Sequence, residues 1–73
     1  MMNELDVDAL RILKAVAEEY GKVLTLYAVD EVDVWAIDEL VRYGLISVRQ
    51  LNNADELTLT NEGEWYLENL LGK

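Results

Sequence analysis

Residues 45–60 read LISVRQLNNADELTLT, and this stretch combines two strand-like segments with a turn between them. Residues 45–51 alternate imperfectly between apolar and polar side chains, whereas residues 56–60 alternate without interruption. Alternation of this kind is typical of a half-buried strand. The intervening segment Asn52–Asp55 has the composition of a turn. The pattern therefore predicts a β-hairpin in which Leu57 and Leu59 point toward the core.

One helix is predicted well before the hairpin and another directly after it. The first spans about Asp8 to Tyr20, and Gly21 is placed to end it. Its inner face consists of apolar residues at helical spacing, namely Ala9, Leu13, Val16 and Tyr20. The last helix begins with Thr60 or Asn61 as its cap. Its inner side is predicted to contain Gly63, Leu67 and Leu70.

A third strong helical pattern precedes the hairpin, running from Val34 or slightly earlier to Tyr43. Gly44 follows it as a C-terminal stop. The predicted inner stripe of this helix is Val34, Ile37, Leu40 and Val41. Upstream, Lys22–Leu24 is too short for more than a brief strand, and Thr25–Val29 is predicted to form one or two helical turns. A single continuous helix from Asp30 to Tyr43 also fits the sequence.

The element order is therefore helix, short strand or turn, helix, helix, hairpin, helix. This order predicts an α+β, mostly helical fold in which residues 1–73 form a single domain. Three helices alone leave one flank of the core open. Since an isolated hairpin is only marginally stable, we expect the hairpin to pack against that flank and close it.

Composition limits the chemistry that the chain can perform. It contains neither cysteine nor histidine, which excludes a disulfide framework, a thiolate metal site and the commonest general base. Ser47 is the single serine and lies within a predicted strand. Asp30, Glu31 and Asp33 are interpreted as a solvated cap cluster rather than a cation site. We therefore expect a protein that is not an enzyme, with no cofactor, no metal and no small-molecule substrate.

Charge and hydropathy indicate where the protein resides and what it contacts. Fifteen acidic residues against six basic ones give a formal net charge of −9. Such a charge repels polyanions and anionic membranes, and it favours basic partners or simply promotes solubility. No apolar run approaches the roughly 20 residues of a membrane span. The sequence predicts a soluble, cytoplasmic protein without a membrane partner.

Two short motifs resemble those of a known family. Residues 40–46, LVRYGLI, show a Leu, three variable residues and then Gly-Leu-Ile. Residues 57–63, LTLTNEG, followed by Leu67, show Leu-Thr, two variable residues and Gly. Over roughly residues 6–71 the chain resembles the winged helix-turn-helix domain of prokaryotic transcription regulators. The resemblance implies a three-helix core, a β-hairpin wing and a closing C-terminal helix, although the segment from Thr25 to Gly44 is short for two helices and a turn.

The resemblance also implies a DNA-binding surface, formed by the helix that ends at Tyr43 and by the wing. The solvent face of that helix is predicted to contain Trp35, Asp38, Glu39 and Arg42. The wing would contribute Arg49, Asn52 and Asn53, with acids near its tip. Because DNA binders commonly make on the order of 6–10 phosphate contacts, this supply of bases disfavours direct DNA binding.

The two tryptophans indicate contacts with protein instead. Trp35 lies in the polar face of its helix, where it either anchors a partner or folds over a neighbouring element. The Trp65 ring is expected to fold over a neighbouring element. A dimer through Trp65, Tyr66 and Leu71 is the alternative use of this surface. The sequence thus favours a non-catalytic regulatory module that acts by protein–protein contacts, either self-association or binding of a basic or apolar partner. The alternatives are a DNA-binding transcription regulator and an acidic DNA-mimic decoy.

Overall fold

The computed structural model describes residues 5–71 of the chain, the last of these by its backbone alone. The chain forms three helices and a three-stranded antiparallel sheet, which is an α+β architecture. The helices are α1 (Val7–Glu18), α2 (Glu31–Arg42) and α3 (Asn61–Leu71). The strands are β1 (Val23–Leu26), β2 (Ile46–Gln50) and β3 (Asp55–Leu59).

The predicted hairpin is confirmed as β2 and β3. The two strands pair antiparallel with Val48 opposite Leu57. The Leu51 amide donates to the Ala54 carbonyl oxygen at 2.8 Å and closes the connecting loop. Leu57 is fully buried, and Leu59 is partly buried against the core cluster. The alternating pattern therefore gave both the strands and the face that turns inward.

The helical turns predicted for Thr25–Val29 are wrong, because this region begins with a strand. β1 pairs with the other side of β3, so the sheet order is β1-β3-β2, and Leu24 lies opposite Leu57. A strand here pairs with the backbone N–H and C=O groups on the otherwise free edge of β3. It also places Leu24 and Leu26 on the inner face of the sheet. Tertiary pairing thus overrides the weak local preference for a helix. The domain has one helix between β1 and β2 where a pair was predicted.

α2 is the continuous helix that the sequence left open, but its inner stripe differs from the predicted one. Ala36, Ile37 and Leu40 are buried, whereas Val34 and Val41 are 49% and 42% exposed. α2 packs chiefly against α1, and the small side chain of Ala36 suits close approach of another helix. The helix is therefore rotated about its axis relative to the expectation, which leaves two valines at the surface.

α1 and α3 differ from the predictions at their ends. α1 ends at Glu18, and Tyr20 lies fully exposed in the short 3-10 turn Tyr20–Lys22 instead of on the inner face. On α3, Gly63 and Leu67 are buried as predicted, but Leu70 is 44% exposed. The core between the helices and the sheet contains Leu5, Ala9, Ile12, Leu13, Val16, Ala36, Ile37, Leu40, Leu45, Ile46, Leu57 and Leu67.

The end of α2 has the hydrogen bonds of a Schellman motif. The Leu45 amide donates to the Leu40 carbonyl oxygen at 2.9 Å, and the Gly44 amide donates to the Val41 carbonyl oxygen at 2.9 Å. Gly44 has a φ of +74°, the left-handed conformation that this motif needs and that glycine adopts at little cost. Leu40 and Leu45 are both buried, which supplies the apolar contact that often accompanies the motif. The predicted stop at Gly44 is confirmed.

Candidate functional site

The side of α2 that faces solvent contains the four residues predicted to contact a partner. Since successive helical residues are turned by about 100°, burial of Ala36 and Leu40 places Trp35, Asp38 and Arg42 on the opposite side. Glu39 lies at its margin and is partly exposed. We call Trp35, Asp38, Glu39 and Arg42 the α2 outer face.

Trp35 is the most prominent residue of this face. Its side chain is 66% exposed, so the indole ring does not fold down over a neighbouring element. Tryptophan combines a large apolar surface with a single N–H donor, and it is enriched at binding interfaces. The sequence left open whether Trp35 folds over a neighbouring element or stays exposed. Because the ring is exposed, it is available to a partner.

Arg42, the base of the α2 outer face, is paired with an acid of the same face. Its Nη2 donates to Oδ2 of Asp38 at 2.9 Å across one helical turn. Both side chains remain largely exposed, so the pair adds little stability, on the order of 0.3–0.5 kcal/mol. The pair matters more for the charge of the surface than for stability. Asp38 partly offsets the charge of Arg42, and Glu39 leaves the α2 outer face negative.

The wing residues do not extend this surface. Arg49 lies opposite Glu56 in the sheet, with Nη1 of Arg49 4.0 Å from Oε1 of Glu56. Since side chains alternate along a strand, Arg49 is on the sheet face opposite Val48 and Gln50, the face away from α2. Asn52 and Asn53 are exposed in the hairpin loop. The structure therefore does not bring Arg42 and Arg49 onto one surface.

Other bases are likewise held by carboxylates. Nη2 of Arg11 lies 3.0 Å from Oδ1 of Asp33 and 3.6 Å from Oδ1 of Asp8. Lys22 pairs with Glu64. Arg11 reaches the first turn of α2 through Asp33, where it meets an acid rather than adding to a basic surface. α2 itself contains one base, Arg42, so no row of bases runs along this helix.

A groove that the sequence did not reveal lies between α2 and β2. Its volume is about 230 Å³, and its walls are Val34, Ile37, Asp38, Val41, Val48, Gln50 and Asp55. We call it the α2–β2 groove. It went unpredicted because Val34 and Val41 were assigned to the core, whereas the rotation of α2 makes them part of the groove lining. Asp38 belongs both to this groove and to the α2 outer face, so the two features adjoin.

The predicted dimer surface on α3 is only partly present. Trp65 is 65% exposed, so the expectation that its ring folds over a neighbouring element is wrong. Tyr66 packs half-buried against the core, and it is therefore not spare apolar surface. The Leu71 side chain lies outside the described residues. Leu70, and not Tyr66, is an exposed apolar residue of α3.

Two further expectations concern metals and membranes. Asp30 precedes α2, and Glu31 and Asp33 lie in its first turn, where the helix dipole favours acids. In the range 5–71, no group of three potential ligands is gathered as a metal site would require. None of the helices described is long and apolar enough to cross a membrane.

The chain matches no protein-family model, no curated protein and no solved structure. Its function is therefore argued from the geometry of its own surface.

Proposed function

We propose that this domain is a non-catalytic regulatory module that binds another protein through the α2 outer face. One observation carries the proposal: an indole ring stands 66% exposed at Trp35, on the same helix face as a base that is already paired with an acid. Exposed tryptophan is costly in water, and buried tryptophan is a frequent hot spot in protein interfaces. The surrounding acids favour a partner with basic residues next to an apolar contact.

We further propose that the fold is a winged-helix type in which the helix-turn-helix unit has lost its first helix. In support, the order is helix, strand, helix, hairpin, helix, and the two motif-like stretches contact each other. The Thr60 amide donates to the Leu45 carbonyl oxygen at 3.1 Å. The absence of a helix between β1 and α2 is the departure from that family. It removes the element that would cross the DNA backbone beside the recognition helix.

Charge weighs against the alternative of direct DNA binding. Arg42 and Arg49 are the bases that the resemblance would place on DNA, yet each lies near a carboxylate and they occupy different surfaces. The formal net charge of −9 adds a long-range repulsion, screened beyond a Debye length of about 8 Å at physiological salt. Releasing phosphate counterions requires several free bases, which this surface does not supply.

The proposal is tested with three immobilised baits: the wild-type domain, Trp35→Ala and Trp65→Ala. The two tryptophans are matched controls, because they are 66% and 65% exposed and lie on different helices. Proteins captured by the wild type are identified by mass spectrometry, and their dissociation constants are then measured with purified components. We expect Trp35→Ala to weaken binding by at least about thirtyfold, and Trp65→Ala to leave it nearly unchanged. Equal affinities for wild type and Trp35→Ala would remove the α2 outer face as the binding site.

The nucleic-acid alternative is tested in parallel by mobility shift with a random-sequence duplex. We expect no retardation even at low salt. Retardation that weakens steeply as salt is added, and that is lost in Arg42→Gln, would replace the protein-binding proposal with DNA binding. If instead the domain releases a DNA-binding partner from its duplex, the acidic decoy becomes the better account.

A further inference from the structure

The α2–β2 groove is lined mainly by apolar surface, with two acidic residues in the lining. Val34, Val41 and Val48 supply aliphatic surface, and the groove of about 230 Å³ opens to solvent beside the α2 outer face. Asp38 and Asp55 are its charged lining residues, and no base described by the structure lines it. We propose that this groove receives an aliphatic side chain from a basic segment of the partner protein. This inference rests on the proposed function and specifies the chemistry of the partner.

The exposed valines explain why an aliphatic side chain fits. Val34 and Val41 leave nearly half of their surface in contact with water. A side chain seated between α2 and β2 removes its own surface and that of both valines from water, which is the driving force of apolar association. The groove is short, and this suits one or two side chains of a partner segment rather than a long helix face.

The two aspartates specify the charge beside that side chain. Asp55 forms no ion pair with the bases of the described range, and Asp38 is paired with Arg42. A lysine or arginine next to the inserted side chain therefore meets an unpaired carboxylate at Asp55 and competes with Arg42 for Asp38. A second copy of this chain is disfavoured as the occupant, since it also has a formal net charge of −9 and would be repelled. Charge complementarity thus selects a basic protein segment.

The test uses a short fluorescent peptide of leucine and lysine, and a matched peptide of leucine and glutamate. Two variants add the same charge to α2: Val41→Lys at the groove, and Val32→Lys about 180° around the helix. Val32 is 48% exposed and does not line the groove, so the variants differ chiefly in position. Circular dichroism verifies that both are folded.

We expect the lysine peptide to bind the wild type at low salt, and the glutamate peptide not to bind. Val41→Lys should weaken the lysine peptide by about tenfold or more, and Val32→Lys by less than about threefold. Amide chemical-shift changes in the wild type should cluster at Val34, Val48, Gln50 and Asp55. Equal losses in the two variants, or shift changes centred away from the groove, would show attraction to overall charge alone and overturn the inference.

The same peptide separates this inference from the proposed function. If Trp35→Ala abolishes binding while Val41→Lys leaves it intact, the α2 outer face binds the partner but the groove does not. If Val41→Lys alone weakens binding, the groove is the site and Trp35 is not its anchor. If neither variant matters, both proposals are wrong.

Discussion

The Thr60 hydroxyl donates a 2.6 Å hydrogen bond to the Gly44 carbonyl oxygen, so it joins the end of α2 to the start of α3. Oγ1 of Thr60 also accepts a hydrogen bond from the Gly63 amide at 3.0 Å, which makes Thr60 the N-cap of α3. The two stretches that resemble winged-helix motifs are therefore two sides of one junction. The hairpin between them returns the chain to the point where it left α2.

Gly63 is expected to tolerate no larger side chain. A Cβ atom added at this position would overlap the Leu45 carbonyl oxygen and lie 2.8 Å from Cδ1 of Leu59. The obstacle includes backbone, which cannot rotate away, so α3 must shift. We expect Gly63→Ala to lower the free energy of unfolding by about 3 kcal/mol or more, measured by urea denaturation. In a domain of this size that loss is a large fraction of the total.

A matched control is Glu62→Ala, an exposed position in the same turn. It should change stability by less than about 1 kcal/mol. A Gly63→Ala protein as stable as the wild type would mean that α3 does not pack closely on Leu45.

Thr60 is expected to matter through its hydroxyl rather than its size. Thr60→Ala removes the cap of α3 and leaves the part-buried Gly44 carbonyl without this donor, so we expect a loss of about 1–2 kcal/mol in the free energy of unfolding. Thr60→Ser keeps the hydroxyl and should retain most of the stability. Thermal denaturation followed by circular dichroism measures both. Equal losses in Ala and Ser variants would assign the effect to the lost methyl group.

Gly44 should respond differently from Gly63, because its constraint is conformational. A Cβ atom there would meet no atom within 4 Å, but the φ of +74° disfavours an L-residue. We expect Gly44→Ala to cost about 1–2 kcal/mol, and Gly44→Asn to cost less, since asparagine tolerates the left-handed region. Urea denaturation of both variants checks this order. An alanine variant no weaker than the asparagine variant would contradict the conformational explanation.

Much of the fold was predictable because local signals and tertiary packing agree there. The alternation of residues 56–60 predicted β3, and Gly44 and Thr60 marked the ends of two helices. β1 was predicted only as a brief strand or turn at Lys22–Leu24, because the segment is too short to show a period and its stability as a strand depends on pairing with β3. That pairing joins residues 29 to 35 positions apart, which no local pattern reports.

The candidate site was predicted in part. The residues of the α2 outer face follow from helical geometry, since any rotation of α2 that buries Leu40 leaves Trp35 and Arg42 outside. The α2–β2 groove depends on which apolar residues α2 buries, and Val34 and Ala36 compete for that role. One signal pointed to Ala36: it is a small residue one turn before Leu40 on the same helix face, which suits close packing against another helix. Side-chain pairs such as Arg11 with Asp33 required the structure.

Self-association through α3 is expected to be weak and to increase with salt. Trp65 and Leu70 are exposed on α3, about 140° apart around the helix, and each offers apolar surface to a second copy. The charge of −9 on each copy opposes that contact, and added salt screens the repulsion. We expect sedimentation velocity at high micromolar concentration to show more dimer in high salt than in low salt. Trp65→Gln should abolish it, whereas Trp35→Gln, at a matched exposure, should not. A strict monomer at both salt concentrations would leave the α2 outer face and its groove as the protein-binding surfaces proposed for this domain.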